Sequence, residues 1–351
     1  LARIPVGVLG ATGAVGQRFV QLLAAHPWFE VTELIASDRS AGKPYREAAR
    51  WKLPGGVPTG AAERVVTSLG RPLESKLLFS GLDSSVAGEA EEELASRGHA
   101  VISNSRNHRH DPDVPLLIPE VNADHLGALE VQRRRTGGGY IVTNPNCVVV
   151  GLAMVLAPLH RAFGIESVAV ATLQALSGAG YPGVSSFDLT DNVLPYIGGG
   201  EEEKIETEPL KILGGWNGKA FELASVPISA SVHRVGVMDG HTMALFLNLA
   251  KKASPEEATG ALAGFRGEPQ ERGLPSAPRQ PIHVLEGPDR PQPRLDRDRE
   301  GGMAVSVGRV RADRTFDLRL EALAHNTIRG AAGAAILNAE LLHARGLLPE
   351  V

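Results

Sequence analysis

The 351-residue sequence contains a single cysteine, Cys147, so no internal disulfide can form; this fits a reducing compartment, and a cytoplasmic protein is expected. No apolar run reaches the ~18 residues that span a bilayer, so no membrane partner is expected. Neither sign of charge dominates. A net charge of −4 gives no electrostatic footing for nucleic acid or an anionic lipid surface. The start, Leu1-Ala2-Arg3-Ile4-Pro5-Val6, runs straight into strand-like sequence, and no signal peptide is expected there. Internal repeats are absent too. The 40 glycines and 24 prolines are spread along the chain and read as turns, not as a disordered tract. What remains is the composition of a soluble globular protein, 43% apolar and 22% charged, with a length that suits two domains.

The first ~145 residues alternate short apolar runs with helical stretches. Strands are expected at Val6–Leu9, Val31–Ala36, Leu77–Ser80, Ala100–Ser103, Leu116–Ile118 and Tyr140–Thr143. Continuous apolar runs of this length suit strands buried on both faces of a parallel sheet. Between the first two, Phe19, Leu22 and Leu23 fall at helical spacing, so the pattern is that of a doubly wound α/β sheet. Longer strands follow at Ser167–Gln174, Thr242–Leu249, Ala304–Val310 and Phe316–Ala322, with a turn at Ala312–Thr315 that makes part of this second sheet antiparallel. Ser254-Pro255-Glu256-Glu257 reads as a capped helix start. Residues 286–302 read as an exposed loop, and the chain from Asn326 onward reads as one long Ala-rich helix. We expect a dinucleotide-binding domain over residues 1–146, completed by the C-terminal helix 326–351, and a catalytic and dimerisation domain over 147–325.

Gly10-Ala11-Thr12-Gly13-Ala14-Val15-Gly16 follows the first strand and opens the first helix. Glycine permits the tight turn and the close approach of backbone N–H groups to a pyrophosphate, and the helix N-terminus favours the anion. The spacing is GxxGxxG, not the more usual GxGxxG, and such a turn alone is also an ordinary βα connection; the strand before it and the helix after it favour dinucleotide binding. After the second strand, Ser37, Arg39, Ser40 and Lys43 surround one acid, Asp38. An acid there holds a ribose 2′-hydroxyl, whereas an arginine accommodates a 2′-phosphate, so the balance favours NADP.

Asn144-Pro145-Asn146-Cys147 stands between the strand at Tyr140–Thr143 and a long apolar run, which places Cys147 at the first turn of a buried helix. A lone cysteine is by default a small buried hydrophobe. A strand-to-helix junction flanked by asparagines instead suits a nucleophile, with a thiol pKa lowered by the helix N-terminus. A nucleophilic thiolate needs a proton partner. Among eleven histidines, His241 has the best setting, at the entry to a strand after Asp239-Gly240.

These segments resemble the aspartate-semialdehyde dehydrogenases of the archaeal and fungal type over nearly the whole length. The resemblance rests on GATGAVG at 10–16, ASDRSAGKPY at 36–45, SNSRNHRHDPDVPLLIPEVN at 103–122, NPNC at 144–147, QALSGAGYPG at 174–183, EEEKIETEPLKILG at 201–214, RVGVMDGHT at 234–242 and HNTIRGAAG at 325–333, in the family's order. It implies reduction of aspartyl-4-phosphate by NADPH to aspartate semialdehyde with release of phosphate, reversibly, in lysine, threonine and methionine synthesis. It also implies a homodimer or homotetramer, and no metal.

Residue roles carry over as expectations. Cys147 resembles the nucleophile, His241 its acid–base partner and Gln174 the glutamine that orients substrate. Arg234 resembles the arginine that grips the α-carboxylate, and Glu201 the glutamate on the amino group. Arg109, Asn146 and Lys204 resemble the phosphate set. Gly10, Thr12, Gly13, Ala14, Val15, Ser37, Arg39, Ser40, Ser80, Ser177, Gly178 and Asn326 resemble the cofactor-binding positions. Val232, His233, Gly236 and His325 depart from the residues common in the family. A malonyl- or succinyl-CoA reductase on the same scaffold would keep Cys147 and His241 but release a thiol. N-acetylglutamyl-phosphate reductase is a further relative, though EEEKIETEPLKIL at 201–213 does not suggest it, and a non-catalytic dinucleotide sensor would have no use for the intact cysteine and histidine.

Overall fold

The computed structural model describes residues 2–349. Leu1 and residues 350–351, where the sequence reading places the chain start and the end of the last helix, lie outside the described residues. Two main sheets organise the molecule. The first joins β1 (Ile4–Leu9), β2 (Phe29–Ile35), β3 (Leu77–Ser80), β4 (Ala100–Ser103) and β5 (Tyr140–Thr143), all parallel, in the order β2-β1-β3-β4-β5. Strands β3, β4 and β5 are buried at every residue because both faces are covered. Helices Ala14–Leu23 and Gly333–Ala344 pack on one face, through Phe19, Ile336 and Leu337 against Phe79 and its neighbours. Helix Ser84–Ser96 covers the other, through Leu94 and Ala95 against Leu78, Val101 and Ile141. This is the doubly wound, Rossmann-like sheet expected from the sequence. The strand order turns at β1, so the crevice between the ends of β1 and β3 is the switch point where such sheets take ligands.

The second sheet begins with β6 (Ile165–Gln174). After a separate two-residue ladder, β7 (Gly215–Trp216) with β8 (Phe221–Glu222), come β9 (Ile228–Arg234), β10 (His241–Leu249), β11 (Ile282–Leu285), β12 (Val305–Ala312) and β13 (Leu318–Ala324). The order is β11-β12-β13-β10-β6-β9. The three central ladders are antiparallel and the two outer ones parallel, a mixed and largely antiparallel sheet as expected. The buried helix Cys147–Phe163 packs on one face, with Val148, Leu152 and Val155 in the same core as Met243, Leu245 and Leu320. Gly151 makes this approach possible: a Cβ there would sit 2.8 Å from the Cβ of Ala324 and 3.0 Å from Met243 Cε.

Two local readings are borne out. Ser254 caps helix Pro255–Ala263 in a reciprocal capping box with Glu257. The turn between β12 and β13 is closed by Asp313, whose Oδ1 accepts from the N–H groups of Thr315 (2.9 Å) and Phe316 (3.2 Å). Three readings need correction. Leu116–Ile118 is not a sheet strand: flanked by Pro115 and Pro119, it makes one parallel bridge, Leu116 to Thr143. Residues 286–302 are not simply an exposed loop. Asp296 is buried there and accepts from Arg290, Arg299 and the Gln292 N–H, so the segment folds around one carboxylate. The closing helix does not run unbroken from Asn326. It opens with a π-type turn, Ile328–Ala332, continues as the α-helix Gly333–Ala344, and ends before Arg345.

Candidate active site

A cleft of about 710 Å³ lies where the two sheets meet. Its walls include Leu82, Asp83 and Ser84 just past β3, Asn104 to Arg106 and Arg109 past β4, Asn146 and Cys147 past β5, and Gly178, Glu201, Lys204 and Arg234 from the second half. Cys147 is the first residue of its helix, and His241 the first of β10. The helix packs on the sheet so that Cys147 Sγ lies 3.1 Å from His241 Nε2. On the other side of the ring, the Ala175 N–H donates to Nδ1 at 2.9 Å. An N–H donor at Nδ1 leaves the proton of the neutral ring on Nε2, aimed at the sulfur. Ala175 also anchors the next group, since its carbonyl accepts from Arg234 Nη1 at 2.7 Å.

The expected activation of the thiol by its helix terminus is not what the site delivers at rest. Burial, and then the carboxylate of Glu201, push the Cys147 thiol up to about 12, against the opposing pull of Arg109, Arg234 and the Val148 N–H. Burial, with Arg234 and His325 adding to it, pulls His241 down to about 3. The resting pair is a neutral thiol beside a neutral ring.

Around this pair the charged groups hold one another. Asn146 caps the cysteine helix, its Oδ1 accepting from the Val148 N–H, while its Nδ2 donates to Glu201 Oε1 at 2.9 Å. The other oxygen of Glu201 accepts from Lys204 Nζ at 3.1 Å. Arg109 donates from Nη1 to Glu208 at 2.7 Å and from Nη2 to the Asn104 carbonyl at 3.0 Å. The cleft thus gathers Cys147, Arg109, Asn146, Glu201, Lys204 and Arg234, with His241 directly behind the sulfur. Gln174 stands apart: it is buried at the end of β6, pairs in register with Arg234, and donates a long bond, 3.4 Å, to Thr172 Oγ1.

The cofactor positions fit a dinucleotide in most respects. The helix Ala14–Leu23 starts at Gly13 with no side-chain cap and no acid in its first turn, which leaves its N–H groups to an anion. Thr12, Gly13, Ala14 and Val15 reach the surface. Gly10 has φ +71°, and a Cβ there would lie 2.6 Å from the Gly81 carbonyl, so the turn sits directly beside the segment that opens into the cleft. Ser37, Arg39 and Ser40 occupy the accessible turn after β2. Gly178 is exposed in the cleft, where a Cβ would come 3.0 Å from Arg234 Nη1 and 3.1 Å from the His241 ring. Ser80 is different: it is fully buried and its hydroxyl donates to the buried Glu91, so its side chain does not face a ligand. Asn326 is buried as well. It donates to Ser177 Oγ (2.7 Å) and accepts from the Gly240 N–H (2.9 Å), which ties the Ser177 loop to the residue before His241.

Glu208 and Lys211 were not singled out by sequence reasoning. The signal was there: Glu201, Lys204, Glu208 and Lys211 recur at helical spacing in the segment 201–214.

Comparison with known proteins agrees with this geometry. A family model described as the NAD binding domain of semialdehyde dehydrogenase matches residues 5–129, and one described as the semialdehyde dehydrogenase dimerisation domain matches residues 156–329. The chain is 50% identical to the aspartate-semialdehyde dehydrogenase of Archaeoglobus fulgidus, covering 97% of this chain and 98% of that one. It is 47% identical to the Schizosaccharomyces pombe enzyme of the same name, covering 98% and 99%. A crystal structure of aspartate semialdehyde dehydrogenase with NADP from Candida albicans superposes with a TM-score of 0.91 at 44% identity, covering 99% of this chain and 100% of that one. Matched along nearly its whole length in sequence and in fold, this chain belongs to the aspartate-semialdehyde dehydrogenase family.

Proposed function

We propose that the chain catalyses the reversible, NADPH-dependent reduction of L-aspartyl-4-phosphate to L-aspartate 4-semialdehyde with release of phosphate, through a thioester on Cys147. The observation that carries this reading is the juxtaposition in one cleft of a cysteine–histidine pair, 3.1 Å apart, with the groups that an aminoacyl phosphate requires. Arg234, held by Ala175, offers paired donors to the α-carboxylate; Glu201 offers a carboxylate to the ammonium; Arg109 and Lys204 offer cations to the phosphate. Sγ bonds to the acyl carbon, the C–O bond to phosphate breaks, and phosphate leaves as the anion between Arg109 and Lys204. His241 donates from Nε2 to the sulfur at rest. To take the thiol proton at Nε2 the ring must carry its own proton on Nδ1, which displaces the Ala175 N–H. N–H groups at the start of the cysteine helix stabilise the oxyanion.

The turn at 10–15, with Ser37, Arg39 and Ser40, would hold NADPH, which when bound would supply the hydride that takes the thioester to the aldehyde and frees the Cys147 sulfur. The molecule functions as an oligomer, a homodimer or homotetramer built on the second domain. No helix among the described residues is long and apolar enough to cross a membrane; the cytoplasmic location we propose follows from the reaction assigned to the chain.

A substrate panel tests the reading. Aspartate semialdehyde with phosphate should drive NADP reduction, and malonate semialdehyde with coenzyme A should not. Glu201→Gln should impair aspartate semialdehyde far more than a semialdehyde without an amino group. Equal impairment of both would move the acyl-CoA reductase reading ahead.

A further inference from the structure

The helix Glu201–Leu213 carries four charged side chains at positions i, i+3, i+7 and i+10, and they do not face solvent together. Glu201 and Lys204 line the cleft, whereas Glu208 and Lys211 lie beneath it, 1% and 4% exposed. We propose that Glu208 and Lys211 are positioning residues that set Arg109 for the phosphate of the substrate. The proposal rests on the phosphate-releasing reading above.

Glu208 uses its two oxygens on two different loops. Oε1 accepts from Arg109 Nη1 at 2.7 Å, and Oε2 accepts from the Asn146 N–H at 2.7 Å, one residue before the nucleophile. One buried carboxylate therefore fixes the distance between the phosphate-binding arginine and the sulfur. Without it, Arg109 would be a buried cation held by a single carbonyl, that of Asn104. Lys211 secures the same loop from its far side. Its ammonium donates to the carbonyls of Arg109 (2.9 Å), Asp111 (2.8 Å) and Val114 (2.9 Å), so each of its three protons has a backbone acceptor. Neither side chain lines the cleft; Lys211 acts through the loop of Arg109, and Glu208 through Arg109 and the Asn146 N–H.

The test runs on the full-length protein in the phosphate-consuming direction, with aspartate semialdehyde, NADP and inorganic phosphate. Glu208→Gln keeps the shape but turns an NH2 toward the Asn146 N–H or toward Arg109. It should raise the KM for phosphate tenfold or more while the KM for semialdehyde moves less than twofold. Lys211→Gln should give the same split, and it carries the test if Glu208→Gln does not accumulate as folded protein. A double-mutant cycle adds the decisive arm: in an Arg109→Lys background, Glu208→Gln should change the phosphate KM less than threefold. Effects that multiply across the cycle, or KM values for both substrates that rise together, would overturn the positioning role. A wild-type enzyme that ignores phosphate altogether would instead sink the underlying reading, and the two failures are told apart by the wild-type assay.

Discussion

At the scale of single residues, the Cys147–His241 pair is defined by burial as much as by chemistry. Because the free thiol is held up to about 12, its thiolate fraction should grow tenfold per pH unit through the neutral and mildly alkaline range. The rate of Cys147 alkylation in the absence of substrate should therefore climb without levelling from pH 7 to pH 9. Glu201→Gln should speed it, since that carboxylate is the second cause of the shift. A plateau near neutrality would show an activated resting thiolate instead. His241 gives a complementary signature. Its folded-state pKa of about 3 lies below the ordinary 6.5, so the unfolded chain binds a proton there that the folded chain refuses. Stability linked to this ring is intact above pH 6.5 and is lost as pH falls toward 3. His241→Asn should lower kcat by about 10²-fold. It should leave the Tm nearly unchanged at pH 8 and gain on wild type as the pH is lowered to 5. Melting curves at the two pH values check this; a variant that loses ground in acid would contradict it.

At the scale of elements, the site depends on how closely the cysteine helix lies on β10 and β13. Gly151 stands at the contact, and a methyl group there would press on Ala324 and Met243. Gly151→Ala gains about 1 kcal/mol of helix propensity, yet overpacking of this kind costs roughly 1–3 kcal/mol. We expect a net loss in the urea midpoint together with a lower kcat, because helix and strand carry the reacting pair. A raised midpoint with full activity would show that the interface yields freely.

The legibility of the elements follows the same physics. The parallel strands β3, β4 and β5 and the glycine turn were readable because local composition dictates them: short, mostly apolar runs buried at every residue, and glycine where a side chain has no room. Strand β9, Ile-Ser-Ala-Ser-Val-His-Arg, was missed because it is a sheet edge with small polar residues at alternate positions. The helix Glu201–Leu213 hid its role behind its charges. Glu208 and Lys211 look solvated until the loops at 104–114 and 144–147 close over them. Leu116–Ile118 misled in the other direction, since apolar content without free pairing partners does not make a strand. The raised thiol was likewise invisible, because a helix N-terminus is a local feature and desolvation depends on the whole fold.

At the scale of the molecule, cofactor binding and folding are one equilibrium. The turn at 10–16 and the Arg39 loop both adjoin the first sheet, whereas Cys147 faces His241 of the second. NADP should stabilise the folded chain without any chemistry taking place. A ligand bound only by the folded state adds about 2.7 kcal/mol at one hundred times its dissociation constant. For a chain of this size that corresponds to a Tm increase of several degrees. Cys147→Ser should keep this increase in full while abolishing turnover, because a hydroxyl supplies far too little attacking anion. NAD at the same concentration should raise the Tm less, since it lacks the 2′-phosphate that we assign to Arg39, Ser37 and Ser40. Arg39→Ala should shrink the NADP increase toward that of NAD and leave the NAD value little altered. If the substitution lowered both increases equally, Arg39 would be a general contributor to the site, and the neighbouring Asp38 would then favour NAD as the physiological partner.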